Sequence, residues 1–120
     1  MHELAIAQAI AEGVAARAIA CGATRVTSVR VRIGAAAGIM PEALSGCFEM
    51  VAQEEPPLCG ARLLIDVVPH RARCRSCQDV AFPVVDFVAQ CPACQGWNTD
   101  VVSGTELEVR EMEIVTARDT

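Results

Sequence analysis

The sequence predicts an α+β fold: a three-stranded mixed sheet with two helices, plus an inserted small zinc-ribbon-like domain. Three observations support this prediction. Helical and strand-like periodicities alternate along the chain, and two Cys-x-x-Cys pairs lie between the last two predicted strands. Hydrophobic residues make up 52% of the 120 residues, which is enough for a core. A chain of this length forms one domain, or one domain with a small appendage.

The first helix is predicted over residues 3–20. Its apolar stripe recurs at helical spacing and consists of Ile6, Ile10 and Val14, with Leu4 and Ala18 beside it. Eight alanines between positions 5 and 20 favour a helix, and Gly13 costs about 1 kcal/mol of that preference. Gly22 is expected to end the helix, since glycine readily takes the left-handed conformation of a C-terminal cap.

A second helix is predicted from Pro41 to about Gln53. Proline is favoured in a first helical turn, and Glu42 lies favourably near the positive end of the helix dipole. The apolar stripe of this helix is predicted to contain Leu44, Phe48 and Val51.

Three strands are predicted, over residues 24–33, 61–68 and about 105–115. In the first, Val29, Val31 and Ile33 alternate with polar residues, which indicates a half-buried strand. The second is apolar on both faces and is therefore expected at the centre of the sheet, with the third antiparallel beside it. The alternation of the third slips by one residue around Glu111, which indicates a bulge or a change of face.

The two cysteine pairs carry the strongest chemical signal. Cys74 and Cys77 form one pair, thirteen residues follow, and Cys91 and Cys94 form the other. Two such pairs can place four thiolates around one ion, which suits tetrahedral Zn²⁺. Iron in a rubredoxin-like site and a pair of disulfides are the alternatives, whereas a thioredoxin-like dithiol would need a βαβ unit that this segment lacks. A metal would close this site and leave no catalytic position, so we expect no enzyme activity.

The segment 70–102 is predicted to be the inserted four-cysteine zinc domain, and 1–69 with 103–120 the surrounding α/β domain. About thirty residues are too few for a core of their own, so the metal is expected to hold the insertion together. The other cysteines (Cys21, Cys47 and Cys59) are expected to be packed thiols. Arg71, Arg73 and Arg75 form a small basic patch that either aids solubility or docks an acidic partner.

Charge and composition exclude several classes of function. The formal net charge is −5 and the aromatic residues are few, which disfavours nucleic-acid binding. No window is long and apolar enough for a membrane span, and no signal peptide is visible. With seven cysteines, an odd number, the chain is expected in a reducing compartment, the cytoplasm.

The first three residues form a second candidate metal site. The terminal amine of Met1, the His2 amide nitrogen and the His2 imidazole can chelate one ion through low-strain rings. Glu3 offers its amide nitrogen as a further donor, or its carboxylate in support. Ni²⁺ and Cu²⁺ favour planar nitrogen donors, and because binding releases protons the affinity should fall in acid. On spacing alone, a terminal histidine is more often only solvated.

Four features span the chain: Met-His-Glu at the start, Pro41-Glu-Ala-Leu, both Cys-x-x-Cys pairs, and Gly104-Thr-Glu-Leu-Glu-Val. Taken together, these motifs resemble the HypA/HybF family of nickel metallochaperones in [NiFe]-hydrogenase maturation. The resemblance implies nickel at His2 through imidazole and backbone nitrogens, with Glu3 in support. It also implies structural zinc at Cys74, Cys77, Cys91 and Cys94.

The resemblance further implies a HypB-like GTPase partner and delivery of nickel to the large subunit of [NiFe]-hydrogenase, with a urease role in some organisms. A homodimer is compatible with the sequence. Two departures stand out: Gln95 follows Cys94 where a glycine is common, and no histidine lies between Cys74 and Cys94, with His70 four residues before Cys74. The rival interpretation is a zinc-ribbon protein-interaction module without a transferable metal.

Overall fold

The computed structural model describes residues 2–78 and 80–119, apart from the Asp119 side chain. Contacts divide the chain into two compact units. The helical unit contains Met1–Arg32, Ile39–Asp66 and Glu108–Thr120, and the cysteine unit contains Ile33–Gly38 and Val67–Leu107. The domain boundaries inferred from the sequence, 70–102 and 1–69 with 103–120, stay a prediction.

Helix α1 spans Glu3–Ala20, and its buried face consists of four alanines with one isoleucine and one valine: Ala7, Ile10, Ala11, Val14, Ala15 and Ala18. Gly22 follows with a φ of 76°, and its N–H donates to the Ile19 carbonyl, as expected for a helix end. Leu4, predicted beside the stripe, is exposed.

Helix α2 spans Pro41–Gln53 and begins with proline in its first turn. It buries Leu44, Phe48 and Ala52, so the stripe repeats every four residues and Ala52 takes the third position predicted for Val51. A short 3-10 helix, Pro56–Leu58, follows and buries Leu58. Within the described residues, none of the helices combines the length and apolarity that a membrane span needs.

The first sheet contains strands β1 (Ala23–Gly34), β2 (Arg62–Val68) and β6 (Leu107–Thr116) in the order β2-β1-β6. The mixed sheet is confirmed, but the predicted order is wrong: β1 is central, β2 is an edge strand, and β6 lies beside β1 rather than β2. Continuous apolarity marks a central strand only in a sheet covered on both faces. In β2 only Val68 is buried, whereas β1 buries Val26, Val29, Val31 and Ile33.

Ion pairs on the polar face of this sheet agree with the central position of β1. Arg30 donates to Asp66 of β2 at 3.0 Å and pairs with Glu111 of β6 at 3.2 Å. Arg32 pairs with Glu108 of β6 at 3.6 Å. Glu108 and Glu111 reach arginines on one face of β1 although they are an odd number of positions apart, which supports the slip predicted in this strand.

The second sheet contains three short strands that the sequence analysis did not predict, β3 (Arg71–Cys74), β4 (Val80–Pro83) and β5 (Thr99–Ser103). Their order is β4-β3-β5, and both pairings are antiparallel. A small core lies against them, made of Ala72, Cys74, Phe82, Val84 and Cys91. A second 3-10 helix, Ala117–Asp119, follows β6.

Candidate metal centre

The cysteine unit gathers all four predicted zinc ligands into one cluster. Cys74 is the last residue of β3, Cys77 follows in the turn after it, and Cys91 and Cys94 lie in the loop before β5. The four Sγ atoms lie within 4.8 Å of one another. Cys74 and Cys91 are buried, Cys77 is half-buried and Cys94 is exposed.

The distances within the cluster fit a four-sulfur ion site. The Sγ atoms of Cys74 and Cys94 are 3.7 Å apart, and those of Cys77 and Cys91 are 3.9 Å apart. A tetrahedron with Zn–S bonds of about 2.3 Å has sulfur–sulfur edges of about 3.8 Å. A disulfide would need about 2.05 Å. The four thiols are therefore spaced for a shared metal ion. None of the four forms a disulfide.

Each Cys-x-x-Cys pair is followed by a glutamine in the left-handed conformation. Gln78 follows Cys77 with a φ of 56°, and Gln95 follows Cys94 with a φ of 60°. The Gln95 N–H donates to the Cys91 carbonyl at 2.8 Å, and the Gly96 N–H donates to the Cys94 sulfur at 3.4 Å. The chain adopts these tight turns without the glycine expected after Cys94, and the second turn points a backbone donor at a sulfur.

The backbone of the second pair also favours ionised sulfur. The N–H groups of Cys94 and Ala93 hydrogen-bond to Cys91 and lower its pKa to about 7, against the effect of burial. A hydrogen bond with Cys94 raises the pKa of Cys77 to about 12, and burial raises the pKa of Cys74. Crowded thiols cannot all ionise without a cation among them. The four-sulfur donor set therefore fits a divalent cation. Zinc would be that cation, and it would hold the cysteine unit together.

Polar contacts join the turn after Cys74 to the start of β5. Arg75 forms a two-bond ion pair with Asp100, at 2.6 and 2.8 Å. The Asn98 side chain donates to the Ser76 hydroxyl at 3.3 Å. The positive charge of Arg75 is therefore paired with a carboxylate of its own unit. Arg71 and Arg73 are the remaining members of the predicted basic patch. Neither Asp100 nor Asn98 carried a sequence signal for this contact, because the pairing depends on sheet register.

The second candidate site is only partly visible. Met1 and its amine lie outside the described residues. His2 is exposed and immediately precedes α1, and its carbonyl accepts the first helical hydrogen bond from Ile6 at 3.1 Å. The Glu3 carboxylate accepts a hydrogen bond from the Met40 N–H at 3.1 Å. That bond is the main reason why the pKa of Glu3 is lowered.

The remaining candidate residues are not members of the four-cysteine cluster. Cys21 and Cys59 are exposed and Cys47 is half-buried, so the expectation of packed thiols is wrong for the first two. Within the described residues, the only group of three or more histidine, cysteine or carboxylate side chains close enough to share an ion is the four-cysteine cluster. His70 lies in the cysteine unit, where its ring contacts Phe87.

Comparison with known proteins shows which family this chain resembles. The family model described as "Hydrogenase/urease nickel incorporation, metallochaperone, hypA" matches residues 1–114. The hydrogenase maturation factor HypA of Geotalea uraniireducens is 41% identical over 114 residues, covering 95% of this chain and 99% of that protein. That of Chlorobium luteolum is 40% identical over 115 residues, with coverages of 95% and 96%.

Two solved structures share the fold. The solution structure of the Ni metallochaperone HypA from Helicobacter pylori superposes with a TM-score of 0.69 at 20% identity, covering 97% of this chain and 99% of that one. A second solution structure of a HypA protein gives a TM-score of 0.72 at 21% identity, with coverages of 96% and 97%. At these identities the structural likeness concerns the fold alone.

Proposed function

Because the chain belongs to the HypA family of nickel-incorporation metallochaperones, we propose that it binds Ni²⁺ at its N-terminus and delivers it for maturation of [NiFe]-hydrogenase. The match over residues 1–114 to this family is the observation that carries the proposal. The nickel ligands in the proposal are the Met1 amine, the His2 imidazole and amide nitrogen, and Glu3 through its amide nitrogen or carboxylate. Nickel is cargo here, and the protein catalyses no reaction on it.

The position of His2 supports a nitrogen chelate. The first N–H groups of a helix have no partner within the helix, so the amide nitrogens of His2 and Glu3 are not needed to hold α1 together. The exposed His2 side chain is free of core packing. Planar nitrogen donors are what Ni²⁺ favours, and a chelate with an open position allows transfer by ligand exchange.

Glu3 supports the same site in a second way. Its Oε2 accepts the Met40 N–H, so the first residue of α1 is tied to the residue that precedes α2. The negative charge of Glu3 also offsets the positive end of the α1 dipole, which opposes a bound cation.

Zinc at Cys74, Cys77, Cys91 and Cys94 has a structural role in this proposal. The buried core of the cysteine unit is small, and two of its five members are metal-binding cysteines. A cluster of four reduced thiols requires a reducing compartment, so we place the protein in the cytoplasm. The partners in the proposal are a HypB-like GTPase and the large subunit of the hydrogenase, and the chain acts without membrane insertion.

Nickel titration followed by absorbance tests the nickel site. The wild type should form a coloured stoichiometric Ni²⁺ complex, whereas His2→Ala and a protein with an acetylated terminal amine should lose it while retaining zinc. His70→Ala is the matched control, since the chain has two histidines. If His2→Ala titrates like the wild type, the nickel site is elsewhere. If the wild type forms no complex at all, the chain is a zinc-ribbon interaction module without a transferable metal.

A further inference from the structure

Strand β6 lies at an edge of the first sheet. The order β2-β1-β6 leaves one side of this ten-residue strand without a neighbouring strand in the described part of the chain. Two of its apolar side chains are well exposed, Leu107 at 46% and Val109 at 43%. Lysine and proline protect many edge strands from further pairing, and β6 contains neither. The edge is therefore a surface on which another strand can pair.

A groove lies beside this edge, between β6 and α1. It has a volume of about 430 Å³, and each element contributes two apolar residues to it, Ile10 and Val14, Val109 and Met112. Gly13 also lines the groove, and a Cβ on Gly13 would meet no atom within 4 Å. Glycine inside a helix costs about 1 kcal/mol relative to alanine, and packing among the described residues gives no reason for it. The groove therefore has room for side chains from outside the chain.

The apolar and polar residues of β6 follow a palindromic pattern. Residues 107–114 read Leu-Glu-Val-Arg and then Glu-Met-Glu-Ile, with the centre between Arg110 and Glu111. The predicted slip lies at this centre and reverses the alternation. Two antiparallel strands related by a twofold axis pair residues that lie at equal distances from the axis. In such a pair every apolar residue of 107–114 lies opposite an apolar residue of the second copy, and every polar residue opposite a polar one.

The contacts of β6 within its own chain agree with these two faces. Glu108 and Glu111 pair with arginines of β1, whereas Val109 and Met112 line the groove beside α1. In the antiparallel pair Val109 lies opposite Met112 of the second copy, on the side of the groove. A bulge can protect an edge strand from pairing, but two copies related by an axis through the slip keep their faces matched.

Charge favours a second copy of this chain as the occupant. Across the axis Arg110 lies opposite Glu111 of the second copy, and the twofold symmetry repeats this ion pair. Glu108 lies opposite Glu113 of the second copy, but Glu108 is already 3.6 Å from both Arg32 and Arg110. Pairing of β6 with the other edge strand, β2, would add chains without limit, whereas twofold pairing of β6 closes after two copies.

We propose that β6 pairs with β6 of a second copy, antiparallel and about a twofold axis between Arg110 and Glu111. The two three-stranded sheets then form one sheet of six strands, and apolar side chains of each copy fill the groove beside Gly13 of the other. This interface goes beyond the proposed function and does not depend on nickel.

Sedimentation equilibrium of the zinc-loaded protein over a range of concentrations tests the interface. Reducing agent is present throughout, so that disulfides between exposed cysteines do not contribute. We expect a reversible equilibrium between monomer and dimer. Val109→Lys should weaken the dimer about 10- to 100-fold, because the symmetry places a lysine opposite an apolar residue twice.

A charge exchange tests the register. Arg110→Glu places like charges opposite each other at both symmetric positions and should weaken the dimer about tenfold. Arg110→Glu combined with Glu111→Arg restores opposite charges across the axis and should recover most of the wild-type affinity. Arg62→Glu is the matched control, because it makes the same charge reversal on the other edge strand and should dimerise like the wild type.

Four results would each overturn the proposal. The first is a wild type that stays monomeric up to about 1 mM. The second is a folded Val109→Lys variant that dimerises like the wild type. The third is a charge exchange that associates no better than Arg110→Glu alone. The fourth is an Arg62→Glu variant that loses as much affinity as Arg110→Glu, which would indicate pairing of β6 with β2. Circular dichroism checks the fold of each variant, and the charge exchange decides the test by itself if Val109→Lys does not fold.

Discussion

Gly34→Ala should be one of the most damaging conservative substitutions in this chain. Gly34 is the last residue of β1, and a Cβ built on it would overlap the backbone carbonyl of Gly104 and the Thr105 nitrogen. Those atoms belong to main chain and cannot rotate away. The Gly34 N–H also donates to the Glu106 carbonyl at 2.8 Å, and the Ala36 N–H donates to the Gly104 carbonyl at 2.7 Å.

The magnitude follows from these contacts. Overpacking costs about 1–3 kcal/mol, and separating the two segments weakens two backbone hydrogen bonds worth about 1 kcal/mol each. The expected loss is therefore about 3–5 kcal/mol, out of a total stability of about 5–15 kcal/mol for a typical domain. Urea unfolding of the zinc-loaded protein, followed by circular dichroism, measures the change in unfolding free energy.

Gly13→Ala is the matched control because it adds the same methyl group where nothing lies within 4 Å of the new atom. Gly13 is exposed in the middle of α1, so alanine should stabilise the protein by about 0.5–1 kcal/mol. Opposite signs for one chemical change would show that local space, rather than the substitution itself, decides the outcome. A Gly34→Ala variant within about 0.5 kcal/mol of the wild type would refute this packing argument.

Three further predictions concern the cysteine unit. Removal of the zinc with a chelator should expose the amides of β3, β4 and β5 to hydrogen exchange while α1 stays helical. The reason is that the metal supplies much of the folding free energy of a unit with so small a core. Equal loss of protection in α1 would contradict this prediction. Zinc affinity should rise between about pH 6 and 8 by about two or more powers of ten per pH unit, since Cys74 and Cys77 have raised pKa values and must each release a proton on binding. Competition with a chelator at several pH values measures the slope. A slope near zero would show that the thiols are already ionised. Finally, a double-mutant cycle on Arg75 and Asp100 should give a coupling free energy below about 1 kcal/mol, because both side chains are about half exposed and surface ion pairs contribute little to stability. A coupling free energy of several kcal/mol would mean that the pair is desolvated in solution.

Spacing and periodicity alone predicted several parts of this protein correctly. The two helices and the buried face of β1 follow from the spacing of the apolar residues. Side chains return to the same face about every 3.6 residues in a helix and every second residue in a strand. The grouping of the four cysteines follows from the two Cys-x-x-Cys pairs, since each tight turn brings two sulfurs together. The slip near Glu111 stays a prediction, which the arginine contacts of Glu108 and Glu111 support.

Other features depend on contacts between distant residues and could not be read from local sequence. Strand order is one, because β2 is more apolar than β1 but lies at the edge, while Arg30 of β1 pairs with acidic residues on both neighbouring strands. The three short strands around the cysteines are another, since four or five residues carry too little periodicity to be recognised. The pairing of Arg75 with Asp100 likewise exists only once β3 and β5 are aligned.

The sequence by itself therefore determined the two helices, the three longer strands, the four-sulfur site and the resemblance to a nickel-handling family. Only the tertiary structure decided which strand is central, which arginine is paired within the cysteine unit, and that Glu3 is bonded to the Met40 N–H. It also left Phe87 exposed, although Phe87 has the same apolar character as the buried Phe48 and Phe82. Local periodicity reports what a residue prefers, whereas the pairing of distant segments decides which of those preferences is satisfied.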